Sequence, residues 1–298
     1  MSFFEFLGDL MNPSLQFLPR ALLVAVLSSV VTGVVGVHVV LRGLSFVGDA
    51  LAHAVFPGIA IAFALQGSVL LGGAVAGVIV AVLIAAFSQN LRLREDSIIG
   101  IFFVAAFAIG LIIMSRIPGY TGSLESLLFG SLTGVTNSDI LVTAGVGSII
   151  IAVLAAAHSQ LVLVSVDREF ARASKVRVGL VDLLLYVTIA AAVVISVQTI
   201  GNILVLALLI APAATARMLT DRVLPMMFIG PIVGGISAFI GIWISWVWDT
   251  PSGATIVLVA TTIFVLVWFF APRRGLIANL RKRVRIESDV SAITEPAH

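Results

Sequence analysis

Residues 21–41 read ALLVAVLSSVVTGVVGVHVVL, a stretch of 21 residues without a single charged side chain. At a rise of about 1.5 Å per residue, a helix of this length crosses the roughly 30 Å hydrocarbon core of a bilayer. Eight further apolar segments of comparable length follow, at about 46–66, 68–88, 97–115, 138–157, 178–200, 201–217, 224–248 and 253–271. The sequence therefore predicts an all-α, polytopic membrane protein with about nine transmembrane helices in a domain spanning 20–271.

The composition excludes a soluble globular protein. Hydrophobic residues make up 60% of the 298 residues and charged residues 11%, whereas a soluble domain is about 25% charged. The chain has no cysteine, which excludes disulfides, thiolate metal sites and cysteine nucleophiles.

The basic residues give the predicted orientation, because Lys and Arg concentrate in cytoplasmic loops. With nine spans, the N-terminus outside and the C-terminus in the cytoplasm, fifteen of the seventeen basic residues fall inside, and Arg20 and Arg116 fall outside. Fusing the sixth and seventh segments, which only residues 198–202 divide, changes this split to eight against nine. Nine spans are therefore favoured.

The two ends of the chain are predicted to lie outside the spans. Residues 1–19 carry Glu5 and Asp9 among phenylalanines, a pattern typical of an amphipathic segment on the outer interface. Residues 272–298 form a basic and then polar tail, which the orientation places in the cytoplasm.

Asp49 is the acidic residue that this scheme leaves within a span. His53 is four residues further on, so both side chains share one helical face, and Ser45 continues that face one turn back. A helix rise of about 1.5 Å per residue puts His53 roughly 16 Å beyond Arg42, near the bilayer centre. Such a carboxylate is costly unless it is functional, and its oxygen with an imidazole nitrogen suits Mn, Fe or Zn. An ion pair between helices and a proton relay are the alternatives.

The other histidines carry less weight. His38, His158 and the terminal His298 are predicted to be interfacial or solvated rather than metal ligands.

Three motifs resemble those of a known family. Residues 41–58 read LRGLSFVGDALAHAVFPG, residues 201–217 read GNILVLALLIAPAATAR, and residues 249–257 read DTPSGATIV. In this order and at these separations they resemble the integral membrane permease subunit of zinc/manganese/iron-type metal-ion ABC importers, over nearly the whole chain.

The resemblance implies a dimeric permease in the bacterial cytoplasmic membrane that passes a divalent metal ion (Mn, Zn or Fe) inward, with Asp49 and His53 handling the ion. It implies an extracytoplasmic solute-binding protein, cytoplasmic ATPase subunits and a second copy of the chain as partners. No prosthetic group or nucleic acid is expected. The chain has no G-x4-G-K-[S/T] phosphate loop, so it is predicted to be a transport subunit and not an enzyme.

The largest predicted inner loop matches the segment through which the family couples to its ATPase. Asp167 or Ser165 is expected to cap a short helix there that presents Glu169, Phe170 and Arg172. This sequence has Ser174-Lys175 where family members commonly have glycine, which puts the turn geometry in question.

Further polar residues are candidates for the pathway. Gln198, Thr199 and Asn202 would line its outer mouth, and Pro57 interrupts the span that carries Asp49. A proton-coupled secondary cation transporter that uses the same Asp–His pair is the rival function. Neither H-E-x-x-H nor G-x-S-x-G occurs in the chain, which disfavours an intramembrane enzyme.

Overall fold

Helices account for almost all of the described structure, a computed structural model that covers residues 3–44, 46–90, 95–116, 134–271 and Gly275. A 3-10 turn, Pro13–Leu15, links the first two helices. The α-helices are α1 (Phe3–Leu10), α2 (Phe17–Arg42), α3 (Val47–Ala54), α4 (Phe56–Ala64), α5 (Val69–Asn90), α6 (Glu95–Ser115), α7 (Asn137–Ala156), α8 (His158–Val166), α9 (Arg168–Ala173), α10 (Val178–Ile200), α11 (Asn202–Leu219), α12 (Val223–Trp248) and α13 (Ser252–Phe270).

Eight helical stretches of the described residues are long and apolar enough to cross a membrane: α2, the α3–α4 pair, α5, α6, α7, α10, α12 and α13. The segment predicted at 201–217 corresponds to the shorter apolar helix Ile203–Leu219. The prediction of an all-α polytopic membrane protein is confirmed. The side of the membrane on which each terminus lies stays a prediction.

The division between the sixth and seventh predicted segments is real. Helix α10 ends at Ile200 and α11 begins at Asn202, with Gly201 between them at φ 81° and ψ 159°. Glycine takes such a positive φ without the steric cost that a Cβ brings. The glycine therefore separates the two helices where the basic residues had required a break.

The second span is built from two short helices. Gly43, at φ 69°, ends α2, and the amide of the following Leu44 donates to the carbonyl of Val39 (3.1 Å). After Val55, α4 begins with Pro57 in its first turn. The proline has no N–H to donate to the carbonyl of His53, four residues earlier. The predicted interruption at Pro57 is thus present, directly beside the Asp–His pair.

Close helix crossings hold the bundle together. A Cβ on Gly36 of α2 would lie 1.8 Å from the carbonyl oxygen of Leu209 in α11. A Cβ on Gly58 of α4 would lie 2.0 Å from the carbonyl oxygen of Gly72 in α5. Small residues at such crossings let backbones approach closely, as is typical of membrane helices.

The N-terminal segment packs on the bundle. Phe6 of α1 is fully buried, and the Phe3 ring lies 5.6 Å, edge to face, from that of Trp243 in α12. The indole N–H of Trp246 donates to Asp9 (2.9 Å). Helix α2 begins at Phe17, three residues before the predicted start of the transmembrane domain. The placement of residues 1–19 at the outer interface stays a prediction, and the predicted tail 272–298 lies, apart from Gly275, outside the described residues.

Candidate functional site

The predicted pair occupies one face of α3. The Nε2 atom of His53 lies 3.5 Å from Oδ1 of Asp49, and the two side chains are 24% and 29% exposed. An oxygen and a nitrogen bound to one ion at about 2.1 Å each lie about 3.0 Å apart in octahedral and about 3.4 Å apart in tetrahedral coordination. The observed separation is close to that of two ligands of one ion, and the partial exposure leaves the pair accessible.

Aromatic side chains of α6 flank the histidine. The ring of His53 lies 5.4 Å from that of Phe103 and 5.3 Å, edge to face, from that of Phe107. These rings sit on one face of α6, because their positions are four residues apart. Helix α6 therefore supports the orientation of the imidazole.

The first and second sequence motifs meet at α3. A Cβ on Gly48 would lie 2.5 Å from the Cδ2 atom of Leu209 in α11. The absence of a side chain at Gly48 thus lets α3 approach α11 one residue before Asp49. The α3 backbone that carries the pair is held from two sides, by α6 and by α11.

In the described part of the chain, Asp49 and His53 are fewer side chains than a closed metal site needs. Within the described ranges no group of three or more His, Asp or Glu side chains is placed to hold an ion. Ser45, predicted to continue the same face, lies outside the described residues. An ion bound by Asp49 and His53 would therefore need further donors.

The predicted outer-mouth residues surround the break between α10 and α11. Thr199 is buried, and its hydroxyl donates to the carbonyl of Ser196 in its own helix (3.1 Å). Gln198 lies in the last turn of α10 and Asn202 begins α11, while their side chains lie outside the described part of the structure. Their role in lining the pathway stays a prediction.

The predicted short helix of the inner loop is α9. Asp167 caps it by accepting the amide hydrogen of Phe170 (2.9 Å), as expected from the sequence. Arg172 pairs with Glu169 on its surface (2.6 Å). Phe170 is 59% exposed. An exposed aromatic ring between paired charges is typical of a protein-binding surface.

The turn after α9 carries the sequence departure noted above. Lys175 has φ 61°, a left-handed conformation that glycine adopts most easily. The turn therefore keeps the geometry that glycine would favour, but with a lysine in it.

Sequence reasoning missed a cluster of charges at the helix ends that the sequence predicts to face the cytoplasm. Asp182 of α10 is fully buried and accepts from Arg42 (2.5 Å) and from Arg168, which also pairs with Glu95. Asp182, which the sequence places at the edge of its predicted span, thus lies in the first turns of α10 and is fully covered by its neighbours. Its position four residues into the predicted span was the available signal.

Two smaller features complete the cluster. Ser165 accepts from Nε of Arg42 (3.2 Å), and the Tyr186 hydroxyl donates to Glu95 (3.3 Å). Burial lowers the pKa of Arg168, but the hydrogen bond with Glu95 and the charge of Asp182 raise the pKa by more than burial lowers it. The net shift of the pKa is therefore upward. Arg168 therefore remains charged throughout the physiological range.

The expectation for His38 is also wrong. Its side chain is fully buried, and its ring lies 6.3 Å from that of His158. The C-terminal part of α2 packs against other helices, where the sequence predicted an interface with solvent or headgroups.

Comparison with known proteins places these features in a family. The ABC 3 transport family matches residues 14–271. The manganese transport system membrane protein MntC of Halalkalibacterium halodurans is 39% identical over 266 residues, covering 89% of this chain and 91% of that protein. The chelated iron transport system membrane protein YfeC of Yersinia pestis is 32% identical over 272 residues, covering 91% of this chain and 92% of that protein.

A solved structure shares the fold. The structure of PsaBC from Streptococcus pneumoniae in complex with a Fab matches with a TM-score of 0.81 at 32% identity, covering 92% of this chain and 98% of that one. The alignments thus cover nearly the whole of this chain and nearly the whole of each relative. The chain belongs to the ABC 3 transport family and is a membrane permease subunit of an ABC transporter.

Proposed function

We propose that the protein is the permease of an ATP-driven importer that moves a divalent transition-metal ion (manganese, zinc or ferrous iron) into the cytoplasm. The observation that carries the proposal is the Asp49–His53 pair, whose 3.5 Å separation suits two ligands of one ion. The names of the relatives support a metal cargo, since they describe manganese and chelated iron transport systems.

The ion is shared between two copies of the chain. The described residues of one chain offer two metal-binding side chains at α3 and no group of three. A two-fold axis beside α3 would bring a second Asp–His pair to the first and give four ligands.

Which metal ion is transported depends more on the protein that delivers it and on the ions available than on the Asp49–His53 pair. A carboxylate oxygen with an imidazole nitrogen accepts manganese, iron and zinc alike, and the intrinsic affinities follow the Irving–Williams order. Delivery by an extracytoplasmic solute-binding protein would therefore set which ion enters.

ATP hydrolysis takes place in separate cytoplasmic subunits, because the sequence contains no phosphate loop. Helix α9 is the docking element: Glu169 is 82% exposed, and Phe170 and Arg172 present their side chains beside it. An apolar ring flanked by charges would fit a groove on the ATPase. The membrane is then the bacterial cytoplasmic membrane, and the ATPase docks on its inner side.

The test is uptake by proteoliposomes that contain the permease together with its ATPase subunits and its solute-binding protein. We expect ATP-dependent accumulation of one or more of Mn²⁺, Zn²⁺ and Fe²⁺, and a loss of uptake in His53→Ala. The matched control is His298→Ala, at the terminal residue of the chain, which should transport at the wild-type rate. Uptake driven by a proton gradient without ATP would instead support a secondary transporter, and equal uptake in wild type and His53→Ala would remove the histidine from the mechanism.

A further inference from the structure

Four helices of the described structure meet in a cluster of charges, here called the inner charge cluster: Arg42 of α2, Glu95 of α6, Arg168 of α9 and Asp182 of α10. Two positive and two negative side chains balance each other. Asp182 is fully buried and the Arg42 side chain is 5% exposed, whereas Arg168 is 36% exposed at the rim. The cluster therefore has a rigid, buried centre and one more accessible member.

Arg168 bridges two helices at once. One of its terminal nitrogens pairs with Glu95 at the start of α6, and the other pairs with Asp182 of α10. A guanidinium presents its donors in a rigid planar fork, so that one side chain can hold two carboxylates in fixed positions. Among the four charges of the cluster, Arg168 alone belongs to α9.

The same cluster lies at the start of α6, which contacts His53, and at the end of α2, which leads into α3. Glu95 begins α6, and Phe103, which contacts His53, lies eight residues and about 12 Å further along that helix. Arg42 ends α2, and the turn at Gly43 leads directly into α3, which carries Asp49. A displacement of α9 would thus reach the pair through α6 and through the α2–α3 turn.

The buried ion pairs of Asp182 hold α2, α9 and α10 in fixed positions relative to one another. Separating Asp182 from its arginines would leave a charge without a partner in a low-dielectric environment, which is strongly unfavourable. The helices are therefore expected to move together with α9 when an attached ATPase shifts it. Arg172 and Glu169 pair with each other within α9 and make no such link.

We propose that Arg168 is a positioning residue that transmits movement of α9 to α6 and α10, and through α6 to the side chain of His53. The proposal rests on the proposed function, because it assigns the path by which an ATPase docked on α9 acts on the metal-binding pair. Docking itself is assigned to other side chains of α9.

The test measures ion uptake and ATP hydrolysis together in proteoliposomes that contain the permease, its ATPase and the solute-binding protein. For Arg168→Gln and for Glu95→Gln we expect ATP hydrolysis near the wild-type rate and about a tenfold fall in ions transported per ATP, within the range typical of coupling between sites. Because Arg168→Gln already removes the link to Glu95, the double variant should be no worse than Arg168→Gln alone. Arg168→Lys should recover the coupling in part, since one ammonium cannot hold both carboxylates.

Arg177→Gln is the matched control. This arginine is exposed in the same inner loop and directly precedes α10, and we expect it to keep the wild-type ratio of ions to ATP. Co-purification of the ATPase with each variant monitors assembly. Glu95→Gln changes α6 and leaves the sequence of α9 intact, so it tests the proposal even where Arg168→Gln fails to assemble.

Several outcomes would overturn the proposal. An unchanged ratio in both single variants would do so, and so would a double variant whose loss is the product of the two single losses. Failure of Glu95→Gln to bind the ATPase would show that the cluster serves docking. A wild-type complex without ATP-dependent uptake would contradict the proposed function, whereas normal wild-type uptake with fully coupled variants would contradict only the role of Arg168.

Discussion

The crossing of α2 and α11 allows a sharp prediction for Gly36→Ala. The added Cβ would lie 1.8 Å from the carbonyl oxygen of Leu209 and 2.9 Å from its carbonyl carbon. A carbon–oxygen contact normally needs about 3.3 Å. Because the obstacle is backbone and not a rotatable side chain, the two helices would have to separate by roughly 1.5 Å at this point.

Two opposing contributions set the magnitude. Overpacking of a close helix contact costs about 1–3 kcal/mol, and separated helices also lose dispersion contacts along their interface. Alanine regains about 1 kcal/mol over glycine as a helix former. We therefore expect a net loss of about 2 kcal/mol in the free energy of unfolding of Gly36→Ala.

Gly145→Ala is the matched control, because Gly145 lies in α7 with nothing within 4 Å of an added Cβ. It should be as stable as the wild type or more stable by about 0.5–1 kcal/mol. Unfolding by SDS in mixed micelles, followed by circular dichroism, measures both variants. Wild-type stability in Gly36→Ala would show that α2 and α11 do not cross as closely as described.

Three further predictions concern other parts of the molecule. Asp182→Asn should lower the free energy of unfolding by about 3 kcal/mol, because it leaves the buried Arg42 without its carboxylate. The double variant Arg42→Met/Asp182→Leu should recover most of this loss, and the same SDS titration measures both variants. Lys175→Gly should raise the free energy of unfolding by about 0.5–1 kcal/mol, since it removes the strain of a lysine in the left-handed conformation at φ 61°. The midpoint of thermal unfolding in detergent should rise accordingly, and a lower midpoint would argue against that conformation. Phe107→Ala should raise the KM of metal uptake about two- to tenfold by removing an aromatic contact with His53, while an unchanged KM would mean that this ring does not orient the imidazole.

The sequence predicts the spans well because crossing a bilayer is a local requirement. Each helix must satisfy its own backbone polar groups and be apolar over its own length, so each is visible as a contiguous segment. The division at Gly201 was visible for a different reason, since only a break there sorts the basic residues to one side. The Asp49–His53 pair was equally local, as both side chains lie one turn apart on a single helix.

The inner charge cluster was hidden because its members are far apart in the sequence. Arg42 and Asp182 are separated by 140 positions, and no periodicity or motif shows that they meet. The inner arginines fit the positive-inside rule equally well as solvated loop residues, so nothing in their spacing pointed to a buried partner. His38 was misjudged for the same reason, because depth along one helix does not show which neighbours cover it.

The central claim is that Asp49 and His53 bind the transported ion between two copies of the chain. Its most direct test is the stoichiometry of Mn²⁺ binding to the assembled permease–ATPase complex, measured by calorimetry and by elemental analysis of the washed complex. We expect one ion for every two permease chains, no binding in Asp49→Ala or His53→Ala, and wild-type binding in His298→Ala. Wild-type Mn²⁺ occupancy in Asp49→Ala would contradict the claim.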